Sequence, residues 1–203
     1  MSLEYAEEEM RRSLSEYQRE IIAVDRDLIR FFSVGFLGYL VWYVAYQYFF
    51  KDQTMLDEYL IHTMVVVAES VLRFLGYGLY EVTTAELRWQ IGIADSVGLL
   101  QIGAPCDGLV LFALFAVFIV AFPGPVQRKL WFIPAGIVLI HLANLVRVVS
   151  LVIIQYNRPQ SLKFNHDYTW TVLIYGFIFW LWYMWATRFS HAANQGASSS
   201  TTK

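Results

Sequence analysis

Between Arg30 and Lys51 the chain carries no charge for twenty residues, Phe31 to Phe50, and gaps of the same length recur at Gly108 to Gln127 and Tyr168 to Thr187. As a helix, twenty residues reach about 30 Å, the thickness of a bilayer's hydrocarbon core. Each run therefore reads as a membrane span. Trp131 to Gln155 is also long enough to cross, but it holds His141, Asn144 and Arg147 in an otherwise aliphatic helix. A charge inside a span is a functional candidate by default. The last run is crowded with Trp170, Trp180, Trp182 and Trp185, which read as packing and interfacial anchors, not as a cofactor box. A chain that is 57% hydrophobic, 17% aromatic and 16% charged is too apolar for an ordinary soluble domain. The expected fold is an all-α polytopic membrane protein with about four transmembrane helices.

Leu60 to Tyr80 is different. At 100° per residue His62, Glu69 and Arg73 share one stripe, widened by Thr63 and Ser70, while Met64, Val67, Val71 and Leu75 cover the rest. Such an amphipathic helix lies in the membrane interface or crosses as a fifth span with its stripe facing other helices. Lying flat, it leaves the N-terminal arginines up to Arg30, the Arg128-Lys129 loop and Arg188 all in the cytoplasm, as the positive-inside rule favours. Residues 51 to 107 and 156 to 167 are then extracytoplasmic, although Arg73, Arg88, Arg158 and Lys163 fall on that side too. Within the first of these segments, Glu86 to Ile91 and Gly98 to Ile102 flank an Ala94-Asp95-Ser96 turn signal and suggest a small β-hairpin. Glu69 and Arg73, four apart, suggest a local ion pair.

Three segments follow: a cytoplasmic helix over 1–30, a membrane-embedded domain over 31–189, and a polar, disordered tail over 190–203, Ser/Thr-rich beyond Ala192. Some thirty largely polar residues precede the first apolar run, so it reads as a retained anchor and not as a cleaved signal peptide. The expected location is the cytoplasmic membrane of a prokaryote, with the N-terminus inside.

The 15 Lys and Arg against 17 Asp and Glu leave no basic footprint for nucleic acid. A single cysteine, Cys106, excludes an internal disulfide framework and a Cys-rich zinc site. No metal or cofactor is expected. Taken alone, a cysteine at a helix start is more often an apolar filler than a nucleophile. Its company changes the balance. Cys106 opens the second span at its outer end, and His166 closes the outer loop before the last span. Arg147, nine residues before Tyr156, lies roughly 13 Å below that outer level at 1.5 Å per residue, within partial reach of a snorkelling side chain.

Those groups suit acyl transfer. A thiol of pKa about 8.5 is mostly protonated at neutral pH and needs a cation or base beside it. His166 can take the thiol proton and return it to a leaving amine, and Arg147 can hold the oxyanion formed when a peptide carbonyl is attacked. Asn144, at i,i+3 from Arg147, can orient the guanidinium or the substrate backbone. His141 reads as structural, with a hydrogen bond across helices.

Ala104-Pro105-Cys106-Asp107-Gly108 at the start of one span, Asn144-Leu145-Val146-Arg147 within the next and His166-Asp167 at the start of the last resemble the three signatures of the exosortase/archaeosortase family. The resemblance runs over roughly residues 60 to 188. It implies an integral-membrane cysteine transpeptidase or protease acting at the extracytoplasmic face. It also implies substrates that are secreted proteins with a C-terminal sorting tail of short motif, hydrophobic helix and basic residues. An acceptor molecule for the acyl group is a further implied partner. Carried over to this chain, Cys106 is the nucleophile, Arg147 the arginine and His166 the histidine, with Asn144, Asp107 and Asp167 in support. Two departures stand out. Asp107 occupies the place where many members have Ser, and it would either raise the thiol pKa or pair with His166 or Arg147. The additional N-terminal spans of longer members are missing, which suggests a compact branch.

A reading from another class keeps the same groups without catalysis: a membrane binding or assembly partner whose Asn144 and Arg147 hold an anionic group of a lipid or protein tail. A transporter would call for paired broken helices or an inverted repeat, and the chain has neither. A haem carrier is disfavoured because His141 and His166 sit at different depths.

Overall fold

The computed structural model describes residues 3–50, 56–80, 89–94, 98–102 and 108–190. Helix α1, Leu3–Ala45, carries the charged N-terminal segment and the first apolar run without interruption and closes in a π turn, Tyr46–Phe50. None of the most apolar window of the stretch Leu28–Tyr48 is buried inside the protein, which leaves this helix for lipid. Among the described helices it packs chiefly on α3, Leu109–Ala121. Gly38 makes the approach feasible, since a Cβ there would stand 3.3 Å from Val117 Cγ1. Phe31 adds edge-on contacts to Phe118 and Phe122, with ring centroids 5.4 and 5.9 Å away.

Helix α3 starts where the charge gap predicts but stops after thirteen residues, not twenty. Pro123 and Pro125 flank Gly124, and the residue before a proline is pushed out of the helical region; Phe122 accordingly adopts φ −72° and ψ 140°. At about 20 Å, α3 is shorter than a hydrocarbon core. Three helical runs are long and apolar enough to cross a membrane: Leu28–Tyr48, Val126–Asn157 and Pro159–Phe189. With the shorter apolar α3 they make an all-α, multi-pass membrane protein.

Helix α4, Val126–Asn157, begins directly after Pro125 and ends at Pro159, which cannot continue it. A 3-10 turn, Pro159–Ser161, then leads into α5, Leu162–Phe164, a π turn over Asn165–Thr169, α6, Trp170–Met184, and a final π turn, Trp185–Phe189. The last span is thus longer at its start than the uncharged run alone suggests. Helices α3, α4 and α6 pack around Phe115, Ile140, Ile178 and Trp185. The Phe115 ring sits against Gly136, where any Cβ would overlap it. The basic pair in the first turn of α4 ties helix ends together. Lys129 Nζ donates to the carbonyls of Val120 and Phe122 at 2.8 and 2.7 Å, and Arg128 donates to Phe189 O at 3.0 Å.

Helix α2, Leu56–Phe74, forms a second core with the far half of α4. Met64, Val65, Ala68 and Leu72 lie against Val148, Val149 and Val152. A Schellman motif ends α2: Gly76, at φ 88°, donates to Arg73 O, and Tyr77 N–H reaches back to Leu72 O. The expected hairpin is present as a two-residue pair, β1 Gln90–Ile91 antiparallel to β2 Leu100–Gln101, with Ile91 opposite Leu100. Gln155 of α4 fastens it by donating to Gly98 O at 3.1 Å. On the outer face of α2, Thr63 and Ser70 bond back to the carbonyls of Tyr59 and Val66, which frees that face of unmet hydroxyls. The Glu69–Arg73 ion pair does not form among the described residues: Arg73 is exposed, and holding two long side chains together there would stabilise the helix little.

Candidate active site

Arg147 lies on the last third of α4, and His166 sits in the π turn between α5 and α6. A π turn inserts one residue into the helical register, and such bulges often reorient a functional side chain. Here Arg147 Nη2 meets His166 Nε2 at 3.3 Å, and His166 Nδ1 meets Asp167 Oδ1 at 2.8 Å. The chemistry of the partners decides the tautomer. Guanidinium only donates and an ionised carboxylate only accepts, so the two bonds are satisfied together when Nδ1 carries the hydrogen and Nε2 offers a lone pair. Asp167 therefore orients a neutral imidazole whose basic nitrogen faces Arg147. The imidazole and carboxylate side chains are 43% and 42% exposed, so a substrate group has access to the pair.

A cavity of about 320 Å³ opens beside Arg147, between the start of α3 (Gly108, Val110, Leu111) and one face of α6 (Thr171, Ile174, Tyr175). Arg147 is its one charged lining group among the described residues, and its Nε–H is buried without an acceptor. That is unused donor capacity next to an accessible space. Asn144 is fully buried beneath the α3 entry. Gly108, at φ 84°, has room for no side chain there, because a Cβ would come within 3.3 Å of Asn144 Nδ2. The α3 entry is thereby pressed onto the Asn144 turn of α4.

Of the residues singled out in the sequence, Arg147, His166 and Asp167 are brought into one hydrogen-bonded chain, and Asn144 lies one helical turn away under Gly108. Cys106 and Asp107 lie outside the described residues. His141 packs its ring against Phe112, with centroids 6.2 Å apart, and the hydrogen bond expected across helices is not made by its buried Nδ1. Thr171 and Tyr175 were not singled out in the sequence. Their signal is faint: two hydroxyls four residues apart, on one face of an otherwise apolar span.

Helical spans around a cavity lined by an arginine, which is hydrogen-bonded in turn to a histidine, define a multi-pass membrane protein with a candidate site toward one end of the bundle. The family model of the transmembrane exosortases (Exosortase_EpsH) matches residues 21–187, and the chain belongs to that family. No curated protein matches the chain, and no solved structure does. Membership carries a membrane-embedded transpeptidase or protease role in general terms and action on secreted substrates.

Proposed function

We propose that the protein is a cysteine transpeptidase or protease that cuts C-terminal sorting tails from secreted proteins, with Cys106 as nucleophile, His166 as acid and base and Arg147 as oxyanion donor. One observation carries the proposal: the Arg147–His166–Asp167 chain reaches, through Arg147, a cavity rimmed by Gly108. Two peptide units separate Gly108 from Cys106, a Cα separation of at most about 7.6 Å. Connectivity alone thus keeps the thiol in the neighbourhood of that cavity.

The chemistry follows from the groups. The Cys106 sulfur attacks the scissile carbonyl while Nε2 takes the thiol proton, the S–C bond forms, and the carbonyl oxygen becomes an oxyanion. In the resting site Arg147 occupies Nε2; with substrate present its guanidinium turns to the oxyanion and leaves Nε2 to the proton. The C–N bond then breaks, and the tail departs as an amine that takes the proton back from His166. A thioester on Cys106 remains for water or an acceptor nucleophile to attack. Asp167 holds the imidazole through both transfers, and Asn144 supports the α3 entry.

The clustering of Arg30, Arg128 and Lys129 at the far end of the bundle supports a cytoplasmic N-terminus and an active site on the extracytoplasmic face. On this basis α2 lies in the outer interface. Co-expression with a secreted protein bearing a sorting tail tests the proposal. Wild type processes the tail and Cys106→Ala does not; equal processing by both contradicts it. The non-enzymatic alternative draws on Arg147 as the sole charge lining the cavity among the described residues. It predicts that tail binding survives Cys106→Ala and that no cleavage occurs with wild type either.

A further inference from the structure

At the end of the bundle opposite His166, roughly 27 Å along α4 from Arg147, a second cavity of about 430 Å³ lies between α1, the end of α3 and the start of α4. Two of its lining groups are cations, Arg30 and Lys129, and no acidic residue lines it among the described residues. Lys129 spends two of its three donors on the carbonyls of Val120 and Phe122 and keeps one. Arg30 makes no hydrogen bond or ion pair with any described residue. Among the described residues, two like charges therefore face one space with no acidic partner, and that arrangement favours an anion.

The remaining walls narrow the choice of anion. Phe31, Val120, Phe122 and Val126 supply apolar surface, and Val126 is 70% exposed. The cavity also sits where the apolar stretch of α1 begins at Leu28, the level at which headgroups meet hydrocarbon. A soluble anion has no use for such walls, whereas a molecule with a charged head and an acyl chain uses both. We propose that this cavity binds the phosphate headgroup of an anionic membrane phospholipid, with Arg30 and Lys129 as charge partners and the acyl chain along Phe31, Val120 and Phe122. Basic recesses between spanning helices are suited to this, since each cation near the surface favours an anionic lipid and the low dielectric strengthens the contact. Bound there, the lipid bridges α1 to the α3–α4 loop. The site is independent of the chemistry proposed for Cys106.

The test uses the purified full-length chain, delipidated in neutral detergent and titrated with phosphatidylglycerol, phosphatidylcholine of the same acyl chains, or inorganic phosphate. Bound lipid is read by native mass spectrometry. Phosphatidylglycerol should bind at least about tenfold more tightly than phosphatidylcholine, and Arg30→Gln should weaken it about fivefold while Arg30→Lys retains it. Arg30 is the residue to change because it makes no hydrogen bond or ion pair with any described residue, whereas Lys129 also caps α3. Equal binding of the two lipids, or no effect of Arg30→Gln with an unchanged unfolding temperature, overturns the proposal. Displacement of the lipid by phosphate alone overturns it too, by making the cavity a soluble-anion site.

Discussion

Arg147 donates and cannot accept, and that leaves His166 Nε2 with its lone pair directed at the guanidinium. In the proposed mechanism the guanidinium serves twice, setting the resting state of the base and offering further N–H groups to a developing oxyanion. Arg147→Lys keeps the charge but loses the planar fork, so one donor direction disappears. Turnover should fall about 100- to 1,000-fold, or about 3 to 4 kcal/mol in the barrier, with little change in protein level. Measured tail-processing rates check this, and a near-normal rate in the lysine variant would remove Arg147 from the oxyanion role. Arg147 was legible in the sequence because a charge within an apolar run has few reasons to be there. The bond to His166 was not, because residues nineteen apart meet only through the Pro159 break and the π turn, neither of which leaves a hydropathy signal. Thr171 and Tyr175 stayed hidden for a related reason: a hydroxyl in a span reads as lipid-tolerant filler until a cavity opens beside it.

Counting gaps between charges locates apolar runs but not where a helix stops. Gly108 to Gln127 reads as one span of twenty, yet Pro123 and Pro125 end α3 at Ala121, and Lys129 satisfies the carbonyls that the break exposes. The breakers were visible in the sequence; the cap was not, since it depends on α4 folding back over the end of α3. The polar stripe of α2 was legible for the same reason as any amphipathic face. Its partners were not, because they come from distant residues of α4 and the hairpin. Packing between α3 and α4 turns on Gly136, which receives the Phe115 ring. Gly136→Ala overpacks that contact and should destabilise the purified protein by about 1 to 3 kcal/mol. Gly176→Ala is the matched control, because nothing lies within 4 Å of a Cβ there and alanine favours the helix. Thermal unfolding in detergent separates them: the first variant should melt lower than wild type and the second should not.

Across the whole molecule, the two ends of the bundle carry different chemistry. One end gathers Arg30, Arg128 and Lys129, and the other holds the Arg147–His166 pair with α2 and the hairpin packed alongside. That polarity suits an enzyme that is fed from outside while its basic end rests on the cytoplasmic leaflet. A membrane-impermeant maleimide added to intact cells or spheroplasts should therefore modify Cys106, the chain's single thiol. Labelling only after permeabilisation would reverse the proposed orientation. The central claim is that this thiol becomes the acyl carrier. It is tested most directly by intact-mass measurement of the protein during turnover with a tail-bearing substrate. The prediction is an adduct with the mass of the substrate's N-terminal fragment, located on Cys106, released by hydroxylamine and missing from Cys106→Ala. Tail cleavage that proceeds at the same rate in Cys106→Ala, with no such adduct in either protein, would contradict it.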